Sequence, residues 1–187
     1  MEPQLICLIG AECTGKTTLA QALAAKMSGL WVPEYLREFT AKKGRTPLHS
    51  EQAQILQQQL RLQDATLEQA RQQRCAWVFC DTAPLLTAVY SDCVFGDASQ
   101  YPEALALHAR YAVTLFLQPD IPWVADGLQR DGATSRAAVH AAIARAMNIH
   151  GDPWAVVRIE GTAAQRLSAA IAVISSPNGV DFVAHPS

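Results

Sequence analysis

The sequence has no apolar run near the ~20 residues that a helix needs to span a bilayer. Its first residues, Met1-Glu2-Pro3-Gln4, have neither the basic start nor the small-residue cleavage site of a secretory signal. These absences predict a cytoplasmic protein without membrane contact. There is no Cys-x-x-Cys pair, and the five cysteines (Cys7, Cys13, Cys75, Cys80, Cys93) make an odd set. The expectation is reduced thiols, not a disulfide framework. The five histidines are scattered, and none stands at zinc-ligand spacing from a cysteine. Charge is scarce: only 17% of residues carry it, and the net charge is −2. A chain-wide nucleic-acid-binding surface is therefore not expected. No internal repeat appears at periods of 20 to 50 residues.

What is present is apolar. Half of the 187 residues are hydrophobic, enough for a sizeable core in a single domain. Leu5-Ile6-Cys7-Leu8-Ile9 is a continuous apolar run ending at Gly10, which predicts a buried parallel strand. A helix is predicted over 16–28, with Leu19, Ala20, Leu23, Ala24 and Met27 on one face and Gly29 as its stop. Residues 30–32 predict a short strand before Pro33. Residues 50–74 predict a long helix capped by Ser50. Its stripe is Ala53, Leu56, Leu60, Leu67 and Ala70, with Ile55 and Leu62 beside it, and its nine glutamines are expected on the solvent face. Strands are predicted at 76–80, 111–117 and 154–159, and helices at 84–93, 102–110, 136–149 and 163–174. Residues 119–135, rich in Pro, Gly and charge, read as a long loop, and 176–187 as a turn-rich tail. Strands alternating with helices imply a parallel sheet covered on both faces, with ligands at the carboxyl ends of the strands.

Gly10-Ala11-Glu12-Cys13-Thr14-Gly15-Lys16-Thr17 matches G-x-x-x-x-G-K-[ST] without a mismatch, between a strand and an amphipathic helix. In that pattern backbone N–H groups and a helix N-terminus surround phosphate oxygens. The lysine reaches the β- and γ-phosphates, and the hydroxyl ligates Mg²⁺. Gly10, Glu12, Cys13, Thr14, Gly15, Lys16, Thr17 and Thr18 are thus candidate ATP contacts. Cys13 is expected to be the exposed thiol, a Ser-like filler and not a redox switch. Asp81, directly after the 76–80 strand, is the candidate second metal ligand with Thr17; the other reading is a helix N-cap for the segment starting near Pro84, and the two roles are not exclusive.

A phosphate loop alone does not separate kinases from ATPase switches. Glu34 and Arg37 follow the second strand, where a carboxylate can take the proton of an attacking hydroxyl and a guanidinium can hold transferred charge. The other reading of that pair is a solvated i, i+3 ion pair. Arg130 and Arg136 stand in and just past the 119–135 loop, which can act as a lid that brings guanidinium groups to the phosphoryl group; the other reading is an ordinary polar loop. The candidate catalytic set is Lys16, Glu34, Arg37, Asp81 and Arg130, with Arg136 as a nucleotide contact. The cleft between the second strand and the 50–74 helix is the expected acceptor position.

The segments Gly-Ala-Glu-Cys-Thr-Gly-Lys-Thr-Thr-Leu-Ala (10–20), Val-Pro-Glu-Tyr-Leu-Arg-Glu-Phe (32–39), Asp81-Thr82 and Pro-Asp-Ile-Pro-Trp-Val-Ala-Asp-Gly-Leu-Gln-Arg (119–130) occur in that order. Together they resemble the ribosylnicotinamide kinase domain of NadR-type NAD-biosynthesis proteins, within the AAA-like phosphate-loop proteins. The resemblance implies an α/β phosphate-loop NTPase fold over residues 1–175: a five-stranded parallel sheet with helices on both faces and a lid at about 119–135. It implies ATP and Mg²⁺ as cofactors, and transfer of a phosphoryl group to the 5′-hydroxyl of nicotinamide riboside. The expected partner is a small nucleoside. The adenylyl transfer and repressor activities of longer relatives are not expected from these residues. Two departures bear on the substrate. Ala83 stands where relatives often carry a second acidic residue, and Pro33 where some carry an aromatic. The alternatives are a kinase for another small hydroxyl substrate, a nucleotide-binding regulatory ATPase module, or an interaction protein with a vestigial loop.

Overall fold

The computed structural model describes residues 2–123, 132–149 and 155–176. Five strands, β1 (Gln4–Ile9), β2 (Leu30–Val32), β3 (Trp77–Asp81), β4 (Tyr111–Leu117) and β5 (Val156–Ile159), form one sheet in the order β2-β3-β1-β4-β5. Every pairing is parallel. Parallel pairing demands crossovers, and helices supply them: α1 (Lys16–Lys26), α2 (Tyr35–Lys43), α3 (Gln52–Gln73), α4 (Pro84–Phe95), α5 (Tyr101–His108), α6 (Gly132–Ile149) and α7 (Ala163–Ile174).

The sheet is buried on both sides because its strands are apolar at consecutive positions, as β1 shows. Leu5, Cys7 and Ile9 enter a core with Leu56, Leu85, Val89 and Ile143 from α3, α4 and α6. Ile6 and Leu8 face the other way, onto Leu19 and Leu23 of α1 and Ala170 and Ile174 of α7. Full burial of such a side chain is worth about 1.5–3 kcal/mol. These two cores fix where the strand ends stand. β1 and β3 run side by side, Leu8 level with Asp81, so the loop after β1 and the residues after β3 share one rim. The strand order reverses direction at these strands, which is where such sheets open a crevice.

Several boundaries differ from the sequence reading. α1 stops at Lys26, and Ser28, not Gly29, takes the left-handed conformation with φ 51°. α2 is an added helix, with Glu34 at its N-cap. A short 3₁₀ turn over His49–Glu51 precedes α3, so Ser50 is not the cap. The Glu51 carboxylate instead accepts from Leu48 N at 2.8 Å and pairs twice with Arg45 at 2.7 and 2.9 Å, which pulls its pKa down to about 2. On α3, Ala53 is exposed, while Gln52, Gln59 and Gln63 are buried; part of the glutamine face points inward. α6 begins at Gly132, four residues before its expected start, which shortens the 119–135 loop. Residues 124–131 of that loop, Arg130 among them, and the tail from 177 lie outside the described residues. Among the described residues no helix is long and apolar enough to cross a membrane. Their five cysteines are free thiols, and the exposed one is Cys93; Cys13 is half-buried.

Candidate active site

The phosphate loop is shaped by two close constraints. A Cβ on Gly10 would lie 2.8 Å from Thr14 Oγ1 and 2.9 Å from Leu117 O, so only glycine fits between the loop and β4. Gly15, with φ 81°, turns the chain into α1. The first turn of α1 has no side-chain cap and no acidic residue, so its N–H groups are left to bind an anion. Thr14 Oγ1 donates to Ala11 O at 2.9 Å, closing the loop internally. Lys16 is buried and its ammonium donates to Gly10 O and Ala11 O, each at 3.0 Å, holding the charge over the loop. A cleft of about 360 Å³ lies over residues Cys13–Thr18, with Arg37 and Ile121 on its walls. Its polar floor suits phosphates. A second cleft, of about 400 Å³, adjoins it between Thr18, Leu19 and Ala22 of α1 and Ala163 and Leu167 of α7. That one is apolar, and a flat aromatic base fits its chemistry.

At the adjacent strand end, Thr17 Oγ1 donates to Asp81 Oδ2 at 2.5 Å. Asp81 Oδ1 is buried with no hydrogen-bond partner among the described residues. A buried carboxylate oxygen left open beside a hydroxyl is the donor set that a hard cation takes up, so Thr17 and Asp81 fit Mg²⁺. Among the described residues no three acidic, His or Cys side chains cluster to hold a metal unaided, so the remaining ligands would be phosphate and water. Burial pushes the Asp81 carboxyl up, against the Thr17 hydrogen bond and the Lys16 charge. Asp81 is not a helix N-cap: Ala83 holds that position for α4, and no side-chain cap bond forms there. Between them, Thr82 sits at φ 84°, a strained conformation for a β-branched residue. Thr82 N bonds Leu8 O at 3.1 Å and Thr82 O accepts from Gln63 Nε2 at 3.4 Å, which ties the strained residue down.

Glu34, at the end of β2, is 8% exposed and is no solvated surface residue. Arg37 Nε donates to Glu34 Oε2 at 3.2 Å while its own side chain stays half exposed and reaches the phosphate cleft. Burial raises the Glu34 carboxyl; Lys16 opposes the rise and the Asp81 charge adds to it. These influences place Glu34, Lys16, Asp81 and Arg37 in one electrostatic neighbourhood. A carboxylate with a raised pKa beside a phosphate cleft can accept a proton from a hydroxyl.

Of the other expected residues, Arg136 joins the site, donating to Cys13 O at 3.2 Å and Ile121 O at 2.9 Å. Glu12 is turned toward α4, where Tyr90 Oη donates to its Oε1 at 3.3 Å. Sequence reasoning missed three residues. Gln59 accepts from Tyr35 N at 2.8 Å and donates to Pro33 O at 3.2 Å, gripping the backbone on both sides of Glu34. This bridge ties α3 to the residues after β2, the two elements that flank the expected acceptor position. Gln63 joins Thr82 O to the Tyr111 hydroxyl. Arg166 on α7 is buried and donates to Thr14 O at 2.8 Å, Gly161 O at 2.8 Å, Gln118 O at 3.1 Å and the Asp120 carboxylate. The sequence signal for the glutamines was their i, i+4 spacing at stripe positions; Arg166 gave none.

The chain is similar in fold to solved kinases. It superposes on "NadR protein in complex with NR" with a TM-score of 0.77 at 21% identity, over 100% of this chain and 52% of that one. It thus spans about half the length of the NadR chain. Deoxyadenosine kinase from M. mycoides with bound dATP aligns at a TM-score of 0.62 and 13% identity, covering 92% of this chain and 100% of that one. Thymidylate kinase from Candida albicans aligns at 0.59 and 17%, covering 95% and 93%. These likenesses establish a nucleoside- and nucleotide-kinase-like phosphate-loop fold. No curated protein matches the chain in sequence. The family model described as an AAA domain matches residues 5–166, and the chain belongs to that family.

Proposed function

We propose that residues 1–175 form an ATP-dependent kinase that phosphorylates the 5′-hydroxyl of a nucleoside, with nicotinamide riboside as the acceptor and nicotinamide mononucleotide as the product. The observation that carries the reading is Glu34: a buried carboxylate with a raised pKa, paired to Arg37, within the influence of Lys16 and Asp81. A kinase needs a carboxylate that takes the acceptor's proton, and Glu34, paired to Arg37 on the wall of the phosphate cleft, supports that role. The nicotinamide riboside assignment draws on the motif resemblance and on the NadR structure in complex with NR.

In this reading the apolar cleft at Leu19 and Ala163 receives the adenine, and the loop N–H groups and Lys16 receive the phosphates. Thr17, and Asp81 directly or through water, would hold Mg²⁺, which would supply charge neutralisation on the phosphates. Glu34 aligns the acceptor hydroxyl and takes its proton as the oxygen bonds to the γ-phosphorus and the bond to the β-phosphate oxygen breaks. Arg37 balances charge on the group in flight. Arg136, fixed to the loop through Cys13 O and Ile121 O, is assigned to nucleotide contact, and Arg130 is assigned to the lid on sequence grounds. A reduced cytoplasm suits the free thiols. The test is ADP release with Mg²⁺-ATP in the presence and absence of a nucleoside panel. Stimulation by nicotinamide riboside above the other nucleosides supports the reading. Stimulation by a different nucleoside alone removes the substrate assignment. ADP release indifferent to every acceptor removes the kinase reading.

A further inference from the structure

The Asp81 carboxylate has one pinned oxygen and one open one. Thr17 Oγ1 donates to Oδ2, and Oδ1 has no hydrogen-bond partner among the described residues. Its aim therefore depends on the backbone on either side. On the strand side the β1 ladder fixes that backbone, with Leu8 level with Asp81. On the other side stands Thr82, at φ 84°. A β-branched residue avoids that region and persists there only where its surroundings hold it. The Thr82 side chain does not offset the strain: its Oγ1 is buried with no hydrogen-bond partner among the described residues. Its backbone is held instead, N to Leu8 O at 3.1 Å and O to Gln63 Nε2 at 3.4 Å. Gln63 is fully buried, and its Oε1 accepts from Tyr111 Oη at 2.8 Å. These bonds run in one direction. The Thr82 carbonyl requires the amide nitrogen of Gln63, which leaves the amide oxygen for a donor, and the Tyr111 hydroxyl is that donor. Tyr111 opens β4 and pairs with Leu5, three residues before Leu8 on β1. Tyr111, Gln63 and Thr82 thus span the core from the start of the sheet to the rim that carries Asp81.

We propose that Tyr111 and Gln63 are positioning residues for the metal: they form a strut that keeps Thr82 in its left-handed conformation and so fixes the Asp81 carboxylate as a ligand for the Mg²⁺ that accompanies ATP. The proposal rests on the kinase reading above, with Thr17 and Asp81 as its metal pair. Neither Tyr111 nor Gln63 lines the phosphate cleft, so both act through Thr82 and Asp81 and not on the nucleotide. Groups behind a metal ligand orient it, and their loss weakens the metal without removing a ligand.

The experiment measures binding of the non-hydrolysable ATP analogue AMP-PNP by calorimetry, once with saturating Mg²⁺ and once with EDTA. It needs no acceptor and no turnover. The proteins are wild type, Asp81→Asn, Tyr111→Phe, Gln63→Met, Thr82→Gly, the double variant Tyr111→Phe with Thr82→Gly, and Ile143→Val, each confirmed folded by its thermal melt. Ile143→Val trims a fully buried residue of the same core and serves as the control for plain loss of stability. In wild type Mg²⁺ should tighten binding by roughly 10–100-fold, the worth of a contact between charged groups. Asp81→Asn should abolish most of that factor. Tyr111→Phe and Gln63→Met should each cut it by about tenfold, the low end of the loss when a metal ligand is left without its support, with affinity in EDTA unchanged. Thr82→Gly should keep the factor, because glycine takes φ 84° without strain. Tyr111→Phe should then cost less in the Thr82→Gly background than alone, since the strut no longer has strain to restrain. Ile143→Val should lower Tm and leave the factor alone. Strut variants that keep the wild-type factor while Asp81→Asn loses it overturn the proposal and leave the metal pair standing. An equal fall in EDTA, a fall in Ile143→Val matching that in Tyr111→Phe, or additive losses in the double variant also overturn it. A wild type indifferent to Mg²⁺ removes the metal pair and the strut together. A wild type that shows the factor but phosphorylates no acceptor removes the kinase reading, and the strut is still decided by binding.

Discussion

A buried carboxylate costs stability wherever it is ionised, and Glu34 and Asp81 are two of them at one rim. Burial raises the Glu34 pKa in the folded protein above its ordinary value of 4.5. The folded state therefore binds that proton more tightly than the unfolded chain does. Stability from this group is fully present below pH 4.5 and is lost as pH rises through the raised value. Glu34→Gln should accordingly raise Tm at pH 8 in the absence of nucleotide, by about 2–4 °C for each kcal/mol relieved, with the gap closing as pH approaches 4.5. Melting curves of the two proteins across that range check it; a variant less stable than wild type at pH 8 would contradict the raised pKa. His108 acts in the opposite sense. Burial lowers its pKa from 6.5 to about 4, so its contribution is present above pH 6.5 and lost as pH falls toward 4. It is common to both proteins and cancels in the difference. At this scale the sequence was most legible in the phosphate loop, because the spacing of Gly10, Gly15, Lys16 and Thr17 is a backbone requirement. Glu34 was legible as a candidate, but the sequence could not say that it is buried: that depends on what packs over it.

Elements with simple periodicity were read well. The β2 and β4 spans and the α7 span match expectation residue for residue, since apolar runs and helical stripes are local signals. α3 was legible as a helix and misread as a surface. Its glutamines at 59 and 63 occupy stripe positions, and glutamine at a stripe position reads as solvent-facing unless its partners are known. Those partners, Pro33, Tyr35, Thr82 and Tyr111, lie 19 to 48 residues away in sequence. α2 went unread because its polar sequence lacks a strong apolar stripe; only Phe39 is buried. The two glutamines make α3 a brace for the turns that carry Glu34 and Asp81. Gln59→Leu should leave Pro33 O and Tyr35 N without partners and loosen Glu34. Each unsatisfied group is worth about 1–3 kcal/mol. The expected result is a roughly tenfold fall in kcat, which corresponds to about 1.4 kcal/mol, with the KM for ATP nearly unchanged. An equal loss in ATP affinity would show that α3 supports the whole loop and not the base.

Across the molecule, a single buried guanidinium joins four parts of the fold. Arg166 ties α7 to the phosphate loop at Thr14, to the end of β4 at Gln118 and Asp120, and to the turn after β5 at Gly161. Arg166→Met should destabilise the chain by on the order of 3 kcal/mol, because it strips several buried acceptors of their donor. That is about 6–12 °C in Tm for a chain of this size; a change below about 2 °C would mean that water replaces the guanidinium. The parallel sheet and its doubly covered faces were legible from the alternation of elements. Long-range ties of this kind were not, since one arginine in an amphipathic helix looks like any other. The central claim is that these ties hold a phosphate loop and a buried base around one acceptor hydroxyl. Its most direct test is product analysis: wild type and Glu34→Gln incubated with Mg²⁺-ATP and nicotinamide riboside, with ADP and nicotinamide mononucleotide quantified together by mass spectrometry. One mononucleotide should form per ADP, with kcat some 10²–10⁴-fold lower in Glu34→Gln and ATP affinity retained. ADP formed without a phosphorylated nucleoside, or a Glu34→Gln rate equal to wild type, would contradict it.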